Sequence, residues 1–242
     1  MPEHPTIGLI VPYSTDDLPP ECSRMYPGVR FVARGVGVER LAADSYEAAM
    51  RRVPAAAAAL AQAGVDAIMV IGTSLTFYRG AEFNAKLIER LRAETGLPVG
   101  TMSSAVVEGL RAVGAERLAL ATAYGDEVNG YLRDFLAASG FEVLALEAFG
   151  LIGFSDPHGK TEAEIVALGH TAVARAPASD GLLISCGGLD TLAITQPLED
   201  ALRLPVVSSM PAGLWSAVRL VGHSGRLAGH GRLFAQSTAS SA

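Results

Sequence analysis

The sequence is short of the residues from which metal and redox sites are built. It has two cysteines and five histidines in 242 residues. Cys22 and Cys186 lie far apart, so a disulfide would need a tertiary coincidence, and a reduced, cytoplasmic protein is the simpler expectation. No CxxC or HExxH occurs, and the dispersed histidines show no ligand spacing, so no metal is expected. There is no GxSxG to mark a hydrolase nucleophile. Gly35-Val36-Gly37-Val38 is not the GxGxxG of a dinucleotide site, and no cofactor is expected. Charge is scarce too: 18% of residues, with 19 basic, 25 acidic and a net charge of -6. The Lys and Arg form no stripe, which argues against nucleic acid as a partner. An anionic small molecule stays possible, because backbone donors can hold a carboxylate on an acidic protein. No apolar run reaches the ~18 residues of a membrane span. The opening Met1-Pro2-Glu3-His4-Pro5 has neither the basic nor the apolar region of a secretory leader.

What the chain does have is a large apolar share. Half its residues are hydrophobic, enough for one large domain or two small lobes with a sizeable core. Apolar runs alternate with helical patterns. Strands are expected at Thr6–Val11, Phe31–Ala33, Asp66–Ile71, Leu97–Val99, Leu118–Thr122, Val143–Leu146, Gly181–Ile184 and Leu204–Val207. Helices are expected from Tyr46 (capped by Asp44 or Ser45, with a break at Pro54), and over 81–94, 106–112, 127–138, 162–174, 198–201 and 214–220. This order gives an α/β fold with parallel sheets buried on both faces. The tail after Gly222 is expected over the surface, with a frayed end.

A repeat divides the chain. Leu97-Pro98-Val99, Ser103-Ser104 and Val113-Gly114 are echoed by Leu204-Pro205-Val206, Ser208-Ser209 and Val221-Gly222. The reading is of two pseudo-symmetric Rossmann-like lobes, 1–114 plus 212–242 and 115–211, with the site in the cleft between them. On this alignment Gly72-Thr73-Ser74 matches Cys186-Gly187-Gly188. Both follow a strand, where open α/β sheets place their ligands. A thiol before two glycines faces backbone donors able to hold a carboxylate; it reads equally as a buried structural cysteine. Thr73 and Ser74 could bind a carboxylate or cap a helix. Tyr124, at a strand end, could complete an anion pocket or serve as core with a wet tip. Cys22, in a polar loop, is expected to be an incidental exposed thiol.

Three segments together, Gly72-Thr73-Ser74-Leu75-Thr76-Phe77-Tyr78-Arg79-Gly80, Ala121-Thr122-Ala123-Tyr124 and Leu183-Ile184-Ser185-Cys186-Gly187-Gly188-Leu189, resemble the bacterial arylmalonate decarboxylases of the aspartate/glutamate racemase superfamily. The resemblance implies a cofactor-independent decarboxylation of aryl- or alkenylmalonates through an enediolate, with Cys186 protonating one face of the carbon. It implies a carboxylate site at Thr73, Ser74, Tyr124, Gly187 and Gly188. It also implies an apolar pocket at Pro12, Val38, Leu41, Tyr46, Leu75 and Phe154. Racemases and maleate isomerases of the superfamily carry a thiol in each lobe; here Gly72 stands where the first would be. The alternative reading is a superfamily racemase or cis-trans isomerase acting on a small carboxylate. The chain departs from the resemblance at Tyr13, at Glu39-Arg40 and over Phe154–Gly159, which bears on the substrate side chain. The expected partner is a small dicarboxylate, and a monomer is expected.

Overall fold

The apolar runs become the strands of two four-stranded sheets, and the remaining patterns become the helices that cover them. The computed structural model describes residues 5–235; Met1 to His4 and the Ser-rich end of the tail lie outside the described residues. The first sheet holds β1 (Thr6–Val11), β2 (Arg30–Gly35), β3 (Ala67–Val70) and β4 (Val99–Thr101). The second holds β5 (Arg117–Tyr124), β6 (Glu142–Leu151), β7 (Gly181–Ser185) and β8 (Val206–Ser208). The strand orders are β2-β1-β3-β4 and β6-β5-β7-β8, all parallel, so one sheet repeats the other. The inner strands are buried along their length, as parallel strands covered on both faces must be.

Around the first sheet lie α1 (Glu21–Met25), α2 (Ala43–Met50), α3 (Val53–Gln62), α4 (Thr73–Phe77), α5 (Gly80–Thr95) and α6 (Met102–Ala112). The second half adds α7 (Asp126–Ala138), α8 (Glu162–Arg175), α9 (Thr195–Leu202), α10 (Ser209–Arg219) and α11 (Arg232–Ala235). A single 3-10 turn, Asp156–Gly159, precedes α8. α6 and α10 pack against each other between the sheets, and Ser216 Oγ donates to Glu108 Oε2 across that contact at 2.9 Å.

Register fixes how the two halves correspond. Ile68 pairs with Val99 as Leu182 pairs with Val206, and Val70 with Thr101 as Ile184 with Ser208. Counting on from Val70 and Ile184 sets Ile71 against Ser185 and Gly72 against Cys186. The two Leu-Pro-Val segments therefore hold equivalent places. The serine pairs do not. Ser208 is the N-cap of α10, matching Thr101, the N-cap of α6, whereas Ser103 and Ser104 sit inside the first turn of α6.

Several elements differ from expectation for identifiable reasons. α6 and α10 begin well before their apolar periodicity does, because their first turns, which carry Ser103 and Ser209, are buried on nearly all sides against the loops of the cleft. α4 lacked any periodic signal at five residues. Asp44 and Ser45 are not caps: Ala42 takes that position, and Ser45 Oγ instead accepts from Glu39 N at 2.9 Å and Arg40 N at 3.2 Å. Cys22 is not exposed. It lies in α1 at 3% exposure, and burial pushes its thiol up to about 12. The tail also enters the core, with Leu233 and Phe234 buried. Expected with the first lobe, it touches both: Tyr26 Oη donates to Gly225 O at 2.9 Å, while in α9 Gln196 Oε1 accepts from Gly231 N at 3.0 Å and Glu199 Oε2 from Arg232 N at 2.8 Å. Position 211, the expected boundary, falls within α10.

Candidate active site

Four strands deliver their carboxyl ends to one cleft. β1 leads into Pro12 and Tyr13, β3 into Gly72-Thr73-Ser74, β5 ends at Tyr124, and β7 leads into Cys186-Gly187-Gly188. These segments enclose a cavity of about 480 Å³ including its mouth. Every residue marked in the sequence lines it: Cys186; Thr73, Ser74, Tyr124, Gly187 and Gly188; and Pro12, Val38, Leu41, Tyr46, Leu75 and Phe154. Tyr13, Ile71, His158 and Met210 line it as well and were not marked. Tyr13 and His158 stood out in the sequence only as departures from a resemblance. Ile71 and Met210 look like ordinary core residues, and register alone reveals their place.

No Lys, Arg, Asp or Glu lines the cavity. Its polar groups are hydroxyls, a thiol, an imidazole and backbone amides. Such a pocket can hold an anion through neutral donors without pairing it to a cation. On the first-lobe side, Gly72 has φ +118°, a conformation that carries the chain sharply from β3 into α4. The N–H groups of the first turn of α4 have no carbonyl before them in the helix. Ser103 Oγ donates to Thr73 O at 2.9 Å and lies 2.7 Å from Thr76 Oγ1, so α6 pins this turn from below. Thr73 Oγ1 donates to Met102 Sδ at 3.0 Å, a weak acceptor easily exchanged for an oxygen.

On the second-lobe side, Cys186 N donates to Ser209 Oγ at 3.3 Å, so α10 holds this loop as α6 holds the other. Gly187 N makes no hydrogen bond among the described residues. Burial pushes the Cys186 thiol up to about 11, partly offset by the nearby Gly188 N–H and Tyr124 phenol. Tyr124 is buried, which raises it well above the usual phenol range, and the neighbouring Cys186 raises it further. Its strand end is fixed by Asn129: Nδ2 donates to Tyr124 O at 2.9 Å, while Thr122 Oγ1 donates to Asn129 Oδ1 at 2.7 Å. Tyr124 Oη sits 3.4 Å from Ser185 Oγ. Tyr46, grouped with the apolar wall, brings a phenol whose Oη has no hydrogen-bond partner, although Ser74 stands beside it. Burial raises this phenol too. Thus thiol and phenols are all protonated at neutral pH.

Among the described residues, no three His, Cys, Asp or Glu side chains group to hold a metal, and no helix is long and apolar enough to cross a membrane.

Comparison with known proteins agrees with this architecture. The arylmalonate decarboxylase of Bordetella bronchiseptica is 44% identical over 234 residues, 96% of this chain and 98% of that one. A crystal structure of a doubly substituted arylmalonate decarboxylase in liganded form matches with a TM-score of 0.93 at 44% identity, covering 95% of this chain and 98% of the other. The maleate isomerase of Nocardia farcinica is 30% identical over 146 residues, 58% of this chain and 56% of that protein. A crystal structure of that organism's maleate cis-trans isomerase, at 20% identity, shares the fold with a TM-score of 0.86. The family profile described as arylmalonate decarboxylase matches residues 7–234. With its two parallel sheets, its single cleft and this match across nearly its whole length, the chain belongs to the arylmalonate decarboxylase family, a family of carboxy-lyases.

Proposed function

We propose that this protein removes one carboxylate from disubstituted aryl- or alkenylmalonates and protonates the resulting carbon through Cys186. The observation that carries the reading is the asymmetry of the cleft: a buried thiol in one loop, and Gly72 in the equivalent position of the other.

One malonate carboxylate is held by Thr73, Ser74, Tyr124 and the amides of Gly187 and Gly188. The other is left against Val38, Leu41, Leu75 and Phe154. Apolar surroundings disfavour a carboxylate and favour neutral carbon dioxide. The bond between Cα and that carboxylate breaks, and its electron pair passes into the retained carboxylate as an enediolate. Neutral donors already in place stabilise this charge, each supplying ~3 kcal/mol by analogy with other oxyanion holes. Cys186 then gives its proton to Cα from one side, leaving a monoacid of one handedness and a thiolate that regains a proton from water. The thiol suits this role because it stays protonated at rest. The chemistry uses protein groups alone. Two-base racemisation would need an acid on the opposite face, and the first loop offers no thiol there.

The test is carbon dioxide release from phenylmalonate by the purified protein. Cys186→Ser is expected to lower release by about 10²–10⁴-fold while still binding malonate; full activity in that variant removes Cys186 from the mechanism. The native alkaline limb supplies a second check. An acid whose folded pKa is raised keeps its proton to higher pH, so turnover holds through pH 9 and falls as pH approaches about 11. Folding follows the same sign: below the unfolded thiol value of 9.0 the buried thiol costs nothing, and stability is lost as pH rises from there through about 11.

A further inference from the structure

The cavity continues outward into a second space of about 800 Å³, and the two share Tyr13, Val38, Phe154 and His158. The inner cavity is lined mostly by apolar groups. The outer side of this neck is mixed, with Ser14, Thr15, Asp17 and Ser155 beside Leu18 and Pro20. Each lobe supplies one hydrogen-bonding side chain to the neck: Tyr13 follows β1, and His158 comes from the 3-10 turn before α8.

Both are held in place. The Tyr13 ring meets Phe154 edge-on at 6.0 Å and His158 at 6.5 Å. The turn bearing His158 is tied down by Asp156 Oδ2, which accepts from Gly153 N at 2.9 Å, and by Leu41 N, which donates to Ile152 O at 2.8 Å. His158 also packs on the thiol loop. A Cβ at Gly188 would lie 3.4 Å from His158 Nε2 and 3.1 Å from Pro157 Cβ, so the glycine permits this approach. Neither Tyr13 Oη nor either ring nitrogen of His158 makes a hydrogen bond to a described residue; Tyr13 is half-buried and His158 is exposed. A half-buried phenol and a solvent-facing imidazole that meet at a cavity neck, with no protein partner to hold their polar atoms, are free to turn to a ligand there.

We propose that this neck is a subsite for a neutral hydrogen-bonding group, such as a hydroxyl, carried at the far end of the malonate's aryl or alkenyl substituent. The proposal rests on the inner cavity being the malonate site. A hydroxyl can both accept from the Tyr13 phenol and engage the imidazole in either tautomer. Burial, with Glu21 nearby, keeps that phenol protonated to about pH 12. A second anionic tip is disfavoured. Asp17 lines the outer space, where its carboxylate accepts from Thr15 Oγ1 at 2.6 Å, and no Lys or Arg lines it. An apolar tip would cover the phenol and imidazole without pairing them, which a site built for hydrogen bonding selects against.

The experiment compares kcat/KM for carbon dioxide release from phenylmalonates bearing a 3- or 4-hydroxyl, a 3- or 4-methyl, or a 4-carboxyl group. The native protein is expected to prefer the better hydroxyl over its methyl isostere by about tenfold or more, with the carboxyl compound poorest. Tyr13→Phe and His158→Phe keep the rings and remove the polar atoms; each is expected to cut the hydroxyl-to-methyl ratio several-fold, and together to abolish it. A methyl compound equal to or better than its hydroxyl partner in the native protein overturns the subsite, as do variants that slow both compounds in equal proportion. Calorimetric binding of the monoacid products separates this from the decarboxylase reading. If no malonate turns over but the hydroxylated acid still binds about tenfold tighter and both variants erase the difference, the subsite stands and the decarboxylase reading falls. If the acids bind equally or not at all, the subsite falls.

Discussion

The loop after β3 and the loop after β7 occupy the same place in two copies of one sheet, yet they are built from different materials. The first loop offers side-chain hydroxyls on a short helical turn, Thr73 and Ser74, both buried. The second offers a thiol and two residues with no side chain, so its donors are amides of the main chain. Each loop is braced from the helix that follows its neighbouring strand, through Ser103 in one case and Ser209 in the other. Duplication supplies the frame, and the two bracing serines stand at non-equivalent places in it, Ser209 where the first half has Met102. Divergence at three positions per loop supplies the chemistry, and it makes the cleft one-sided.

The largest expected effect, after loss of the thiol itself, lies in the hydroxyl loop. Side-chain donors can be deleted, whereas the amides of Gly187 and Gly188 cannot. Thr73→Val keeps the shape and removes the Oγ1 that now rests on Met102 Sδ. If Thr73 holds the enediolate, kcat falls by about 10²-fold, or ~3 kcal/mol, with a smaller change in KM. A variant that raises KM alone would show that the hydroxyl binds ground state and transition state equally. The loop would then be a docking element, and the difference between the loops would be one of affinity.

The sequence itself carries most of this comparison. Buried parallel strands show as unbroken apolar runs, such as Leu182–Ile184, and glycines mark where they end, so the order of elements and the cleft's two loops are legible. What is hidden is set by tertiary contact. The first turn of α6 is polar because it packs under Thr73, and polarity reads as loop when the partner is unknown. Ser103-Ser104 aligned with Ser208-Ser209 by letter, but the strand register places Thr101 opposite Ser208. Cys22 looks exposed among prolines and acids until α1 is seen packed against α10. His158 carries no motif at all. It belongs to the site through the bare backbone of Gly188, which lets the turn approach.

Gly72→Cys sharpens the comparison by making the loops alike. The new thiol would face the carbon from the other lobe, so protonation could come from either side and the product acid would lose its single handedness. The change carries a cost in folding. Gly72 has φ +118°, and a Cβ there lies 3.2 Å from Leu75 Cβ. A strained non-glycine residue of this kind costs ~2 kcal/mol, which in a chain of this size lowers Tm by roughly 6 °C. Chiral analysis of the product together with a melting curve reads both effects. A stable variant with product of unchanged handedness would mean that the two loops do not face one another across the substrate.

The smallest expected effects belong to the braces, and they test whether the two loops are equally dependent on them. Ser209 Oγ accepts a single long hydrogen bond from Cys186 N, at 3.3 Å. Ser103 Oγ donates to Thr73 O at 2.9 Å and contacts Thr76 Oγ1 at 2.7 Å, so its removal costs two hydrogen bonds, while Thr76 Oγ1 still donates to Thr73 O and accepts from Ser103 N. An ordinary hydrogen bond contributes about 1 kcal/mol; two are lost with Ser103 and one with Ser209. Ser103→Ala should therefore lower the unfolding free energy by ~2 kcal/mol and Ser209→Ala by about half that. Activity is expected to rank the other way, because Ser209 positions the thiol and Ser103 only the floor of the hydroxyl loop. Denaturant melts and kcat for the two variants read the two orders. Should Ser103→Ala prove worse on both measures, the hydroxyl loop would be the more fragile half of the site, and the thiol loop would be held chiefly by the packing of Met210 and Met102 against Gly187.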